Sequence, residues 1–284
     1  CEDHSPEAMA EGCKVVFLAL PHTASMDAAA KILAKGKKVI DLSADFRLKD
    51  AAVYEKTYQT KHVHPELLKE AVYGLPELYR DRIRESRLVA NPGCYPTAVL
   101  LAALPLLKGR RNEIPFFIAD AKSGFTGAGR KAVSEWKAGG LNGNFKAYRV
   151  TEHQHVPEME SILKEAAGGD VKLMFTPHLL PIPRGILSTH YFSVSEETST
   201  EALLTSFETF YEKEPFVRVL PKDRLPEIKE VLHTNFCDVT VRVDRERKTA
   251  IVISVLDNLM KGASGQEVQN LNLLFGFEET EGLL

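Results

Sequence analysis

Short apolar runs and helix-spaced stretches alternate through the first third of the chain. Residues 14–20, KVVFLAL, form a continuous apolar run of strand length, while 25–36, SMDAAAKILAKG, reads as a helix closed by Gly36. KKVIDLSAD (37–45) predicts a second strand, and RLVANPG (87–93) a third. Apolar strands alternating with helices predict a parallel sheet, with ligands outside the carboxyl ends of the strands. The loops at those ends, PHTAS, DLSADFR and NPGCYP, are rich in small and polar residues and are expected to share one crevice.

Beyond residue 113 the pattern changes. Residues 114–124, 145–153, 171–180, 185–195 and 216–222 read as strands. FCDVTVRVD and TAIVISVLDN, joined by the charged RERK, predict an antiparallel hairpin. Helices are expected in PEMESILKEAAGG and TEALLTSFETFYEKE, giving a second α+β region built on a large mixed or antiparallel sheet. A last helix lies within SGQEVQNLNLLFG, where Val268, Leu271, Leu274 and Phe275 fall at packing intervals. A complete dinucleotide-binding fold opens on a strand and a Gly-rich turn. Nothing before Lys14 supplies either, so the chain is expected to be an N-terminally incomplete version of a longer protein.

Composition narrows the class. The 284 residues are 44% hydrophobic and 26% charged, with a net charge of −3, which argues against nucleic-acid and membrane-surface partners. No apolar run reaches the roughly 18 residues of a membrane span, and CEDHSPEAMAEG is not a signal peptide. Cys1, Cys13, Cys94 and Cys237 are scattered, with neither zinc-ligand spacing nor a disulfide framework, so a cytoplasmic protein is expected.

Chemistry concentrates in a few strings. In Asn91-Pro-Gly-Cys-Tyr-Pro96, Cys94 would lie just ahead of an apolar helix, TAVLLAALPLL, with Pro96 in its first turn. The positive end of the helix favours a thiolate there, although a small core residue is the plainer alternative. A nucleophilic cysteine needs a proton-handling partner, and YRVTEHQHVPEME offers His153 and His155, which would share a face if the strand continued through them. Two exposed histidines at a strand end are the alternative, and no third ligand supports a metal. Glu158 could orient an imidazole. In SGFTGAGRKAV (123–133), Gly124, Gly127 and Gly129 would let the backbone approach a ligand. Arg47 and Arg184 could each bind an anion or form a surface ion pair. LMKGASG and Asn258 would supply backbone and amide contacts to a cofactor, or simply dock the last helix.

Taken together, ALPHTAS, VIDLSADFRL, YGLPELYR, ANPGCYPTA, SGFTGAGR, HQHVPEME, PIPRGIL and DNLMKGASGQEVQNLNLLFG resemble the N-acetyl-gamma-glutamyl-phosphate reductases, in order from about residue 14 to 276. The aspartate-semialdehyde dehydrogenases are the wider relatives. The resemblance implies an NADP-binding Rossmann-type domain (1–93 with 261–284) and an α+β domain for catalysis and oligomer contacts (94–260). It implies a cytoplasmic enzyme of arginine biosynthesis, a dimer or tetramer acting on a small acyl phosphate. Cys94 would form a thioester that NADPH reduces to the semialdehyde. His153 is preferred over His155 as the proton carrier, with Glu158 as its orienter. Arg47, Asn91 and Arg184 are expected at the substrate. Pro21, His22, Ser43, Ser123, Gly124, Gly127, Asn258 and Gly262 are expected at the cofactor. A related reductase acting on a carrier-bound aminoadipyl phosphate would share almost every string. A Cys/His hydrolase or acyltransferase would need no nicotinamide.

Overall fold

The computed structural model describes residues 5–108, 114–128, 134 and 143–284. The chain divides into two compact units, Cys1–Gly93 with Ala263–Leu284, and Cys94–Gly262. The first unit holds α1 (Pro6–Ala10), β1 (Val15–Leu18), α2 (Ser25–Ala34), β2 (Lys38–Asp41), α3 (Ala51–Tyr58), α4 (Pro65–Glu70), β3 (Val72–Tyr73), α5 (Pro76–Glu85) and β4 (Leu88–Ala90). The second holds α6 (Cys94–Leu107), β5 (Phe116–Gly124), β6 (Lys146–Ala147), α7 (His155–Ala167), β7 (Lys172–Leu180), β8 (Ile186–Ser193), α8 (Thr200–Tyr211), β9 (Val217–Val219), β10 (Cys237–Asp244) and β11 (Thr249–Leu256). Helix α9 (Gly265–Phe275) belongs to the first unit.

In the first unit the strand order is β1-β2-β4-β3, and every pairing is parallel. The three strands read from the sequence are present, and β3 is a fourth, with two residues too short to carry a period. Ala28, Ala29, Ile32 and Leu33 of α2 pack with Val16, Leu18 and Val39 of the sheet, the one-sided burial that its spacing predicts. The helix ends where Gly36 takes φ +71°, a left-handed turn that a Cβ would disfavour.

Helix α9 departs from its apolar pattern. Of the expected packing residues Leu274 is buried while Val268, Leu271 and Phe275 are only partly covered, and the buried set includes Gln266, Glu267, Gln269, Asn270 and Asn272. Specific bonds satisfy the Asn270 amide nitrogen: Asn270 Nδ2 donates to the Gly74 carbonyl and to Asn91 Oδ1, both at 3.0 Å. Asn91 in turn donates to the Ala263 carbonyl at 3.1 Å.

The second unit is a seven-stranded mixed sheet in the order β6-β7-β5-β8-β11-β10-β9. β5–β7 and β9–β10 pair in parallel and the remaining pairs are antiparallel, including the β10–β11 hairpin, which runs from Cys237↔Leu256 to Asp244↔Thr249. Helix α6 lies on one face of this sheet, flanked by α7 and α8, and is buried from Tyr95 to Leu107. Pro105 interrupts its ladder, because proline has no N–H for the Leu101 carbonyl. The Tyr211 hydroxyl of α8 donates to that carbonyl instead.

Two expectations are corrected here. The strand expected over 145–153 shrinks to Lys146–Ala147, and the chain then turns, with Arg149 at φ +46° and Thr151 at φ +67°. Extended backbone cannot carry those angles, so the two histidines do not share a strand face. The helix expected from Pro157 starts two residues earlier, at His155.

Candidate active site

Within the second unit, Cys94 is the first residue of α6 rather than the residue before it, and it is half-buried and outside any disulfide. That position keeps the sulfur at the end where unpaired N–H groups and the helix dipole stabilise negative charge. Two glycines line it. A Cβ on Gly262 would stand 2.8 Å from Cys94 Cβ, so only glycine lets this turn pass so close. A Cβ on Gly127 would lie 3.9 Å from Cys94 Sγ, 3.0 Å from Ser123 Oγ and 3.4 Å from Asn258 Nδ2. The missing side chain at Gly127 therefore leaves room beside the thiol.

The loop carrying Gly127 is fastened by groups expected to touch a ligand. Asn258 Oδ1 accepts the Gly185 N–H at 2.7 Å, and its Nδ2 donates to Thr126 Oγ1 at 3.0 Å. Ser123 Oγ donates to the Gly124 carbonyl at 3.0 Å. Gly124 is demanded by the backbone, since a Cβ there would meet Arg184 N and the Pro183 carbonyl at 2.7 Å. Gly129 lies outside the described residues.

Arg184 meets Asp257, which is wholly buried at the end of β11. Its Nε and Nη2 donate to Asp257 Oδ1 at 3.2 and 3.1 Å, and its Nη1 bonds His233 Nδ1 at 3.0 Å. Asp257 also accepts the N–H groups of His233 and Leu259, both at 2.8 Å. Two of the guanidinium's five N–H groups remain beyond these three bonds.

His153 and His155 come together without a shared strand, their ring centroids 4.7 Å apart. Tyr95, the residue after Cys94, meets both edge-on, at 5.7 Å and 6.2 Å. His153 Nδ1 accepts the His155 N–H at 3.1 Å at the entrance to α7. Its ring is packed against Tyr148 and Phe175, and burial, reinforced by the Arg149 charge, lowers its pKa to about 4. His153 is thus neutral at pH 7, with the proton of that tautomer on Nε2. Glu158 is buried in the first turn of α7.

Tyrosines complete this cluster, and sequence reasoning missed them. Tyr95 donates to the His178 carbonyl at 2.9 Å, and Tyr148 donates to the Tyr95 hydroxyl at 3.4 Å. Burial raises both phenols, Tyr148 to about 12, and the neighbouring Cys94 charge adds to each shift. Both remain protonated donors at pH 7. The only signals available were adjacency to Cys94 for Tyr95 and position ahead of His153 for Tyr148.

In the first unit, Pro21 and His22 are exposed beyond the carboxyl end of β1. His22 Nδ1 accepts the Ala44 N–H at 3.0 Å. Ser43 donates to Asp41 Oδ2 at 2.6 Å and accepts the Asp45 N–H at 3.1 Å. Asp45, also missed, accepts the N–H groups of Thr23 at 2.7 Å and Ser25 at 2.9 Å, so it organises the entrance to α2. Arg47 is buried and donates to the Leu42 carbonyl at 2.6 Å, while Asn91 is buried and bonded to Ala263 and Asn270.

Among the described residues, no group of three His, Cys, Asp or Glu side chains could hold a metal ion, and no helix is long and apolar enough to cross a membrane. Residues 1–86 match the family model described as semialdehyde dehydrogenase, NAD binding domain, and residues 94–258 match semialdehyde dehydrogenase, dimerisation domain. The cofactor class is therefore a nicotinamide nucleotide. The residues present fit one: Pro21 and His22 are exposed beyond a parallel strand, and the buried Glu267 Oε1 has no hydrogen-bond partner among the described residues.

Among solved structures, aspartate semialdehyde dehydrogenase II from Vibrio cholerae overlays with a TM-score of 0.72 at 17% identity, over 96% of this chain and 82% of that one. An aspartate semialdehyde dehydrogenase from Francisella tularensis gives 0.70 at 12%, over 94% and 84%. These likenesses establish the fold. Closer sequence relatives bear the name N-acetyl-gamma-glutamyl-phosphate reductase. The protein of Symbiobacterium thermophilum is 53% identical over 99% of this chain and 80% of its own length. That of Pelotomaculum thermopropionicum is 50% identical over 100% and 82%. Identity at that level over essentially the whole chain, with Cys94 heading a buried helix whose next residue, Tyr95, faces two imidazoles, makes this protein a member of the N-acetyl-gamma-glutamyl-phosphate reductase family, within the semialdehyde dehydrogenases.

Proposed function

We propose that the chain reduces N-acetyl-gamma-glutamyl phosphate to N-acetylglutamate semialdehyde and inorganic phosphate with NADPH, in arginine biosynthesis in the cytoplasm. The observation that carries this reading is the half-buried Cys94 thiol on the first residue of α6, with room left beside it by Gly127. The helix end stabilises the thiolate, which attacks the acyl carbon; the C–O bond to phosphate breaks, and the acyl group is held as a thioester. A nicotinamide cofactor, when bound, supplies the hydride that takes this acyl group to the aldehyde level. Pro21, His22 and Ser43 are the first-unit candidates for holding it, and Ser123, Gly124, Gly127, Asn258 and Gly262 are the second-unit ones.

Proton traffic falls to the histidine pair. His153 has committed its Nδ1 lone pair to a backbone N–H and is held neutral by burial, so it suits a hydrogen-bond donor better than a base. His155, at the start of α7, is the better carrier for the proton that leaves the thiol and returns to it when the aldehyde is released. The paired tyrosines exclude water and orient the two rings, and Glu158, buried in the first turn of α7, is the candidate orienter of an imidazole. Arg184 retains N–H capacity for a substrate carboxylate, with Asp257 holding it in place. Arg47 is the candidate phosphate group in the first unit.

The working form is a homodimer. On the sheet face opposite α6, Met174, Ile118, Tyr191 and Ile251 are directly opposed in one row across β7, β5, β8 and β11. Met174 is 54% and Tyr191 39% exposed, the kind of apolar row that a second copy covers.

The reverse reaction tests the chemistry. The chain is mixed with N-acetylglutamate semialdehyde, phosphate and NADP, and NADPH absorbance is followed. Phosphate-dependent NADPH formation that disappears in Cys94→Ala is the expected result. A folded Cys94→Ala protein that kept most of its activity would overturn the thioester route.

A further inference from the structure

Ser264-Gly-Gln-Glu267 has the spacing of a capping box, in which a serine caps the helix and the glutamate reaches back to its N–H. The fold does not use it that way. A π-helical turn, Met260–Ser264, runs directly into α9, so Ser264 already has helical angles (φ −69°, ψ −33°) and makes no side-chain cap bond. The Glu267 carboxyl is released from that local duty. It is 7% exposed, and its Oε1 has no hydrogen-bond partner among the described residues.

Helix α9 packs along β2, and the two run in opposite senses. Lys38, opening β2, donates to the Leu274 carbonyl near the end of α9. The start of α9 therefore lies toward the end of β2, where Asp41 is wholly buried. Desolvation raises Glu267 to about 8, with the Asp41 charge adding to it, and desolvation raises Asp41 to about 6. Ser43 occupies one site on each Asp41 oxygen, through its N–H and its hydroxyl, and each oxygen can accept again. The other charged groups on elements packed against α9 are Lys38, directed to its far end, and those of α5: Glu77, Arg80, Asp81, Arg82, Arg84 and Glu85, with Arg80 held by Glu279 and Arg84 by Asp81.

We propose that Glu267 and Asp41 together form a subsite for a neutral group that both accepts and donates hydrogen bonds, the carboxamide or a ribose hydroxyl of the nicotinamide nucleotide. The Glu267 O–H donates to it and an Asp41 oxygen accepts from it. Two acids at the carboxyl end of a parallel strand disfavour a phosphate there and select an uncharged polar group. This subsite rests on the nicotinamide reading, and it adds a recognition residue in the first turn of α9.

Calorimetric titration of the full chain with NADP⁺ and with NAD⁺, between pH 6.5 and 9, tests it without turnover. In the wild type, the Kd of the nucleotide that binds should rise several-fold above pH 8, as the donor is lost. Glu267→Gln, which keeps an N–H donor, should bind as tightly at pH 7 and lose that rise. Glu267→Ala should bind about tenfold more weakly at pH 7, the scale of one lost hydrogen bond. A Kd–pH profile of Glu267→Gln identical to that of the wild type would overturn the subsite while leaving the nicotinamide reading intact. Absence of binding by the wild type at every pH would sink both. The nicotinic-acid analogue separates the two sources. If the carboxamide is the group bound, the analogue's deficit shrinks in Glu267→Gln; if a ribose hydroxyl is bound, the deficit is unchanged.

Discussion

His153 Nδ1 accepts the backbone N–H of His155 at 3.1 Å, so one histidine of the pair is a turn-forming acceptor for the other. This i to i+2 geometry is the one asparagine side chains adopt in turns, which makes His153→Asn an informative substitution. The Asn variant should keep its fold and lose less than about tenfold in kcat, whereas His155→Asn should lose about 10²–10⁴. Steady-state kinetics on both variants decide this. The opposite order would return the proton to His153.

The glycines around Cys94 should separate shape from stability. Gly262→Ala puts a methyl 2.8 Å from Cys94 Cβ, so the helix start must shift, and both Tm and kcat should fall. Gly127→Ala meets Ser123 Oγ at 3.0 Å but fills the room beside the thiol, so kcat/KM should fall with little change in Tm. Equal Tm losses in the two variants would show that Gly127 only serves packing.

Tyr211→Phe should test the repair of the Pro105 break. Removing the hydroxyl leaves the Leu101 carbonyl without its side-chain donor in a buried helix, at a cost of about 1–3 kcal/mol. Denaturant unfolding should register that loss with kcat/KM unchanged. A neutral result would mean that the carbonyl finds another donor.

Stability should decline on both sides of neutrality. Burial lowers His153 and His190 to about 4, below the usual histidine value of about 6.5. The unfolded chain therefore takes up protons that the folded one refuses, and their stabilising contribution is lost as pH falls from about 6.5 through 4. Asp41 and Glu267 are raised to about 6 and 8, so their contribution is complete below about 4 and is lost as pH rises through those values. Melting curves should flatten on the alkaline limb in Glu267→Gln and on the acid limb in His190→Gln. Curves parallel to the wild type would refute the assignment.

Tyr191→Lys, alone or with Met174→Lys, should convert the proposed dimer to folded monomers in light-scattering measurements, because charge is placed in the apolar row. A dimer that persists would place the contact elsewhere.

Much of this molecule was legible in the chain itself. The strands β1, β2 and β4, the β10–β11 hairpin and the buried helix α6 follow from apolar periodicity, because burial of one face is a property of each segment. The Cys94 turn was equally local, set by its flanking prolines and the apolar run that follows. Other features depend on neighbours that no local pattern encodes. The polar residues of α9 face inward because Gly74 and Asn91, some 180 to 200 residues away, receive the Asn270 amide. Asn258 and Arg184, read as ligand contacts, are engaged with Gly185 and Asp257, each 73 residues distant. The histidines meet through a left-handed turn and a helix start, where the string HQH suggested only a shared strand face. Periodicity reports how much of a segment leaves water; which donor then meets which acceptor is decided when distant segments close on one another.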